Sequence, residues 1–202
     1  KSGFNVYLVG DENKLAPIVA NLDCDKSRIE IVHAPQVITM DDHPATAMRE
    51  KPDSSMAVAF DLVKEGKATA VLTAGNSGAL LSGGIFKIKR IKGVVRPALA
   101  PFMPCFGIPG KSRTLILDAG ANADCKPEYL LQFAFMASEY LRVVFGIKNP
   151  SIGLINIGTE ETKGNELCKR VYEMLKDSDL NFVGNVEARD IASCKADILV
   201  TD

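Results

Sequence analysis

The chain has 202 residues, of which 47% are hydrophobic, with 24 Lys and Arg set against 25 Asp and Glu. That balance supplies no global field to recruit nucleic acid, and a sequence without Trp and only 6% aromatic lacks the material of a base-stacking platform. No run of about 18 uncharged apolar residues reads as a membrane span, and the length suits one domain of about 100–200 residues.

The predicted elements alternate between β-branched runs and helical stretches, the signature of a parallel α/β sheet. Strands are expected at 5–9, 29–33, 70–74, 99–103, 114–118, 152–156, 181–186 and 198–201. Several are apolar at consecutive positions, as strands covered on both faces should be. The opening residues read as part of the first strand rather than as a signal peptide. The connection 34–53, carrying Pro35, Pro44 and Pro52, reads as a long loop. Ser54 or Ser55 caps a helix that Gly66 stops. Pro97, Pro101, Pro104 and Pro109 mark a hairpin or an edge strand. Pro127 fits the first turn of a helix ending at Gly146, apolar on nearly every side and suited to a central position or a homodimer face. A last amphipathic helix is expected over 165–176, from Leu167, Val171, Met174 and Leu175.

Five cysteines (Cys24, Cys105, Cys125, Cys168 and Cys194) are scattered without CxxC spacing, and only His33 and His43 could join them around a metal. They read as free thiols of a reducing compartment, and no metal site is expected. Cys125, between Asp124 and Lys126 near a helix start, could have a lowered pKa, but reads first as an ordinary unreactive thiol.

Chemistry gathers where the strands end. Gly75-Asn76-Ser77-Gly78 follows one strand and Asp118-Ala119-Gly120-Ala121-Asn122 another. Asn156 opens a loop through Glu160, Glu161 and Lys163 to Asn165; Gly184-Asn185 and Thr201-Asp202 complete the set. Ligands of open α/β sheets bind beyond the carboxyl ends of the strands, so five such corners are expected to share one edge. The Gly75–Gly78 turn opens a helix, whose N–H groups and dipole suit a phosphate. Without a Walker lysine or a GxGxxG motif, nucleotide readings are disfavoured. Lys163 could oppose an anion or stabilise an oxyanion, or it could be a solvated loop residue. No GxSxG elbow occurs, and Ser77 has no identifiable base. The stretch Lys87, Lys89, Arg90, Lys92 and Arg96 carries five positive charges and no negative one; it reads equally as a solvated helix end or as a docking patch for an acidic partner.

These motifs in this order resemble the PlsX family of acyl-carrier-protein:phosphate acyltransferases. The resemblance rests on the stretches around Gly75-Asn-Ser-Gly-Ala-Leu, Arg90-Ile-Lys-Gly-Val-Val-Arg-Pro, Asp118-Ala-Gly-Ala-Asn-Ala-Asp-Cys-Lys-Pro-Glu, Asn156-Ile-Gly-Thr-Glu-Glu-Thr-Lys-Gly-Asn-Glu-Leu and Phe182-Val-Gly-Asn-Val-Glu-Ala-Arg-Asp. It covers essentially the whole chain. The family's Asp-Ala-Met-Gly-Gly-Asp and Gly-Phe-Thr-Gly-Asn motifs are not in this sequence, so a single α/β domain over 1–202, incomplete at both ends, is expected.

The resemblance implies a three-layer α/β/α fold with a mostly parallel sheet, like phosphotransacetylases and isopropylmalate dehydrogenases, in a homodimer. It implies transfer of a long-chain acyl group from acyl-carrier protein to inorganic phosphate, giving acyl phosphate for phospholipid synthesis, without metal or organic cofactor. It also implies a cytoplasmic protein, peripheral at the membrane, supplying a glycerol-phosphate acyltransferase. On this reading Asn76, Ser77, Gly78 and Asn122 bind phosphate, and Lys163, Asn156, Asp118 and Asp202 are catalytic. Lys87, Lys89, Arg90, Lys92 and Arg96 dock the carrier. The rival readings are an acyl-CoA phosphotransacetylase, a decarboxylating hydroxyacid dehydrogenase, and a non-catalytic module that binds carrier or phosphate.

Overall fold

The computed structural model describes residues 3–202, and the chain divides after Ile91 into two compact units. In the first, β1 (Val6–Gly10) and β2 (Ile29–His33) pair in parallel, from Val6 against Ile29 to Gly10 against His33. Parallel neighbours need a crossover, and α1 (Glu12–Ala20) lies within it, its first turn capped by the Asp11 carboxylate. The unit continues with α2 (Ala47–Glu50), α3 (Ser55–Lys64) and α4 (Ser77–Gly83), which runs into a wider helical turn over Gly84–Ile88. The Ser54 hydroxyl caps α3 at the Ala57 N–H, and the chain leaves that helix through Gly66 at φ +73°. Ile38, Ala47, Met56, Phe60 and Ala79 form the core of this unit. Gly83 lets α4 approach closely, because a Cβ there would collide with Met48 and Phe60.

Two expectations for this unit are corrected. Residues 70–74 are not a strand: they pair with nothing among the described residues, and Leu72 is 99% exposed. An apolar run becomes a strand only where a neighbour offers a hydrogen-bonding edge. The connection 34–53 is no free loop, since it holds α2, and Lys51 ties it by an ion pair to Asp42 and a hydrogen bond to the Val37 carbonyl.

The second unit is a five-stranded sheet of β3 (Phe102–Pro104), β4 (Arg113–Leu117), β5 (Ile152–Asn156), β6 (Phe182–Glu187) and β7 (Ile198–Val200), in the order β3-β4-β7-β5-β6. Every pairing is parallel except β3 with β4. β3 is thus an edge strand, the position where Pro104 removes no interior ladder bond. Strand alternation divides the apolar residues between two faces. Leu115, Leu117, Ile152, Leu154, Ile198 and Val200 meet α5 (Pro127–Phe145) and α6 (Glu166–Lys176) on one face. Ile116, Ile155, Val186 and Leu199 pack on the other with Ile191, from the short helical turn Ala188–Ser193.

α5 is not buried on all sides. Leu130, Phe133, Ala134, Ala137 and Leu141 face the sheet, while Phe135, Val143 and Val144 stay exposed. Gly146 ends it at φ +70°, the left-handed conformation a helix C-terminus favours. The five thiols are not all free either. Cys105 and Cys194 form a disulfide across 89 residues with Cα atoms 5.4 Å apart, leaving Cys24, Cys125 and Cys168 reduced. The fold causes the encounter: the Phe106 N–H donates to the Ala192 carbonyl at 2.6 Å, beside the pair.

An ionic knot closes the amino-terminal edge of the sheet. Asp197 accepts from the Ser151 hydroxyl at 2.6 Å and the Ser151 N–H at 2.8 Å, and pairs with Lys111 at 2.7 Å. Burial by itself would raise the Asp197 carboxyl; Lys111 and the two Ser151 donors together outweigh it and hold the group below the usual carboxylate range. A lowered folded-state pKa contributes stability that is full well above the ordinary value of 3.8 and is lost as pH falls through and below it. Thermal unfolding from neutral pH to about pH 2 should therefore show the gap between wild type and Asp197→Asn closing with acid. A constant gap would show that the carboxylate charge is not what holds this edge.

Candidate active site

β4, β7 and β5 are adjacent and parallel, with Leu117 and Leu154 both level with Val200, so their carboxyl ends share one edge. Three of the expected polar corners lie there: Asp118–Asn122, Asn156–Asn165 and Thr201-Asp202. Gly184-Asn185 is different. Grouped with the strand-end corners, it lies instead inside β6, with Gly184 at φ +94° where the pairing of β5 with β6 shifts register.

Asp118 is 2% exposed and organises the first corner. Its Oδ1 accepts from the Leu99 N–H at 2.7 Å; its Oδ2 accepts from the Asn122 N–H at 2.8 Å and from Asn122 Nδ2 at 2.9 Å. Asn122 Nδ2 also donates to the Pro97 carbonyl at 3.0 Å. Both amide hydrogens of Asn122 are thereby engaged within the protein. The carboxylate acts as the template on which residues 97–99 and 118–122 are wound.

The second corner is built the same way. Asn156 Nδ2 donates to the Lys163 carbonyl at 2.9 Å and to Asn185 Oδ1 at 3.2 Å, while its Oδ1 accepts from the Ile157 N–H. Asn185 Nδ2 donates in turn to the Glu160 carbonyl at 2.8 Å. Both carboxamides are 7% exposed. Gly164, at φ +93°, lies so close beneath the Asn156 carboxamide that a Cβ would approach its Nδ2 to 2.8 Å. Asn165 then caps α6 at the Cys168 N–H. The turn leaves Thr159, Glu160, Glu161, Thr162 and Lys163 exposed; the Lys163 stem lies over Gly158, and its ammonium is half exposed and 3.9 Å from Glu160. A contact that long and that exposed holds the cation weakly. Glu161 is turned away, onto Lys176 and Tyr172.

Asp202 is exposed at the end of the third corner. Burial first, then the negative charges of Asp202 and Asp118, push the Cys125 thiol up; burial and Asp202 do the same to Cys168. Neither is poised as a thiolate nucleophile. Among the described residues no three His, Cys, Asp or Glu side chains are grouped to hold a metal.

The Gly75–Gly78 corner belongs to the other unit. Asn76 Oδ1 caps the Ala79 N–H at 3.0 Å, and Nδ2 donates to the carbonyls of Thr39 and Asp42 at 3.1 and 3.3 Å. Pro44 packs over Gly78, where a Cβ would come within 2.8 Å of its ring. Asn76 therefore fastens the 39–44 segment to α4, and the outward groups are the exposed Ser77 hydroxyl and the N–H groups of the first turn, which a helix cannot satisfy itself.

The basic stretch is not uniform. Lys87 is drawn in by Asp61 at 2.6 Å and the Ala57 carbonyl at 3.2 Å, which removes it from an outward patch. Lys89, Arg90, Lys92 and Arg96 are exposed, as are Phe86 and Ile91, and Arg96 lies 5.8 Å over the Tyr129 ring. Sequence reasoning counted Asn185 in one of the polar corners without an individual role; an Asn flanked by strand residues on a face that must be covered was the available signal.

The sequence profile of the family described as "Fatty acid synthesis protein" matches residues 1–202. A phosphate acyltransferase of Clostridioides difficile (strain 630) is 50% identical over 200 residues, covering 98% of this chain and 57% of that protein. One from Bacillus pumilus (strain SAFR-032) is 49% identical over 201 residues, covering 100% of this chain and 58% of the relative. The chain thus spans about three fifths of the length of the curated relatives it matches. Among solved structures, EutD phosphotransacetylase from Staphylococcus aureus superposes with a TM-score of 0.60 at 17% identity, covering 97% of this chain and 69% of that one. A branched-chain phosphotransacylase from Enterococcus faecalis V583 gives 0.57 at 16% identity, covering 98% and 69%. At these identities the likeness is one of fold: α/β, with a mostly parallel sheet flanked by helices.

Proposed function

The chain belongs to the PlsX family of fatty acid synthesis proteins, and we propose that its complete protein transfers a long-chain acyl group from acyl-carrier protein to inorganic phosphate. One observation carries this reading: an exposed lysine, Lys163, stands at the carboxyl edge of the sheet on a turn wound around buried carboxamides, while burial and Asp202 push the Cys125 and Cys168 thiols of the same unit up. Such an edge offers a cation without a protein nucleophile. Phosphate then supplies the nucleophile: one of its oxygens attacks the thioester carbonyl, the C–S bond breaks, and the departing thiolate takes a proton. Lys163 opposes the charge of phosphate and of the tetrahedral oxyanion. Asp202 is the carboxyl we assign to the neighbourhood of the departing thiol.

The carboxamides act one step back in this scheme. Asn122 and Asn156 have their amide hydrogens engaged by the protein, so they serve by holding corners in shape, as does Asp118. Asn76 does the same for the first unit, where Ser77 and Gly78 supply a hydroxyl and N–H groups of the kind a phosphate accepts. Lys89, Arg90, Lys92 and Arg96 are our candidates for meeting the acidic carrier. Residues 1–202 as one acyltransferase domain, a homodimer, a peripheral place at the inner membrane face, and a glycerol-phosphate acyltransferase as consumer of the product belong to the same reading. No helix among the described residues is long and apolar enough to cross a membrane.

The test is formation of acyl phosphate, trapped as a hydroxamate, from long-chain acyl-carrier protein by the complete protein. Product should require phosphate, and the paired change Lys89→Glu with Arg90→Glu should raise the KM for carrier severalfold, an effect that salt reduces. Faster turnover of a small acyl-CoA would replace this reading by the phosphotransacetylase one. Carrier or phosphate binding without turnover would leave only a binding module.

A further inference from the structure

The geometry points to Asn185 as a positioning residue that sets the Lys163 turn through a relay of two carboxamides. Asn185 and Asn156 lie on neighbouring parallel strands, β6 and β5, where Leu154 pairs with Asn185 and Asn156 with Glu187. From there they reach the two ends of one turn. Asn185 Nδ2 donates to the Glu160 carbonyl, Asn185 Oδ1 accepts from Asn156, and Asn156 donates onward to the Lys163 carbonyl. The turn's own bond, from the Lys163 N–H to the Glu160 carbonyl at 3.1 Å, closes the ring. Each end of the Glu160–Lys163 segment is therefore fixed to the sheet and not merely to its neighbour in sequence.

The chemistry is specific to a carboxamide. At its place in the relay Asn185 must donate on one side and accept on the other, and in the buried setting of 7% exposure an unmatched polar group is costly. Asn185→Asp keeps the shape but turns the donor facing the Glu160 carbonyl into a second acceptor. The segment then loses its anchor at one end while β6 is left in place. Because Lys163 extends from the turn and makes only a 3.9 Å contact with Glu160, the backbone is what places its ammonium. A cation that must meet developing charge loses effect when its mounting moves by an ångström or so.

The activity arm of the test rests on the phosphate acyltransferase reading; the exchange arm does not. In the complete protein, Asn185→Asp should lower kcat by about tenfold to a hundredfold with the KM for the acyl donor changed less than about twofold. In a Lys163→Ala background the same change should lower kcat less than about twofold, because there is no ammonium left to place. Equal losses in both backgrounds, or none in either, overturn the proposal. Amide hydrogen exchange of residues 158–164, read by mass spectrometry, should rise at least about tenfold in Asn185→Asp, while exchange in α5 stays as in wild type. Unchanged exchange overturns the relay whatever the activity. If no acyl phosphate forms at all, the exchange result still decides it.

Discussion

Lys163→Ala in the complete protein should reduce turnover by about a hundredfold to a thousandfold while the protein melts within a degree or two of wild type, because the loss is of a charge that opposes phosphate and the oxyanion and not of a packed group. The structure makes this a clean substitution. The hydrogen bond that fixes the turn goes to the backbone carbonyl at position 163, which alanine retains. The side chain removed is half exposed and weakly paired, so its loss opens no cavity and strands no buried partner. Steady-state rates with varied phosphate give the measurement, with Lys163→Arg as the charge-preserving control. Wild-type rates from Lys163→Ala would remove the cation from the mechanism.

Phe133→Ala is the second large effect, and it acts on stability. Phe133 is fully buried on the inner face of α5, in the cluster with Leu115, Leu154, Ile198 and Val200 of the sheet. Deleting a ring there removes its transfer free energy and leaves a cavity that a helix clamped along its length cannot close, together about 3–5 kcal/mol. Chemical denaturation should show the midpoint falling with little change in slope. Phe135, two residues on and 46% exposed, is the internal comparison: Phe135→Ala should cost about 1 kcal/mol or less. Equal costs at both positions would mean that the buried face of α5 has been misassigned.

Much of the fold was legible because its signals are local. The expected bounds of β2 and β5 coincide with those observed, since β-branched runs flanked by turn residues define strands over a few positions. Ser54, Gly66, Pro127, Gly146 and Asn165 took their expected places at helix ends, because a cap depends on residues within one turn of it. The proline-punctuated stretch contains an edge strand for an equally local reason, the missing N–H. α1 has a local start signal in Asp11 and Glu12 but holds Pro17 inside it, so its local signals point both ways.

The remainder depends on contacts between distant residues. The run at 70–74 has strand composition, yet it finds no pairing partner among the described residues and leaves Leu72 in solvent. Cys105 and Cys194 meet across 89 residues, which spacing could not announce. Lys87 belongs to a positive stretch in sequence and to an ion pair with Asp61 in space.

From the order of its residues alone this protein's class follows: apolar runs and caps dictate an α/β chain, and a Gly- and Asn-rich vocabulary at strand ends, in a family-specific order, dictates where chemistry should be sought. What Asn76, Asn122, Asn156 and Asn185 do there was decided by tertiary structure. An asparagine can offer its amide to a ligand or to a carbonyl of the chain, and the sequence is the same in both cases. Folding brings Thr39, Pro97, Glu160 and the Lys163 backbone within about 3 Å of those amides. Those amides are thereby engaged inside the protein, where they hold the corners in shape, and Lys163 stays exposed on its turn beside Glu160.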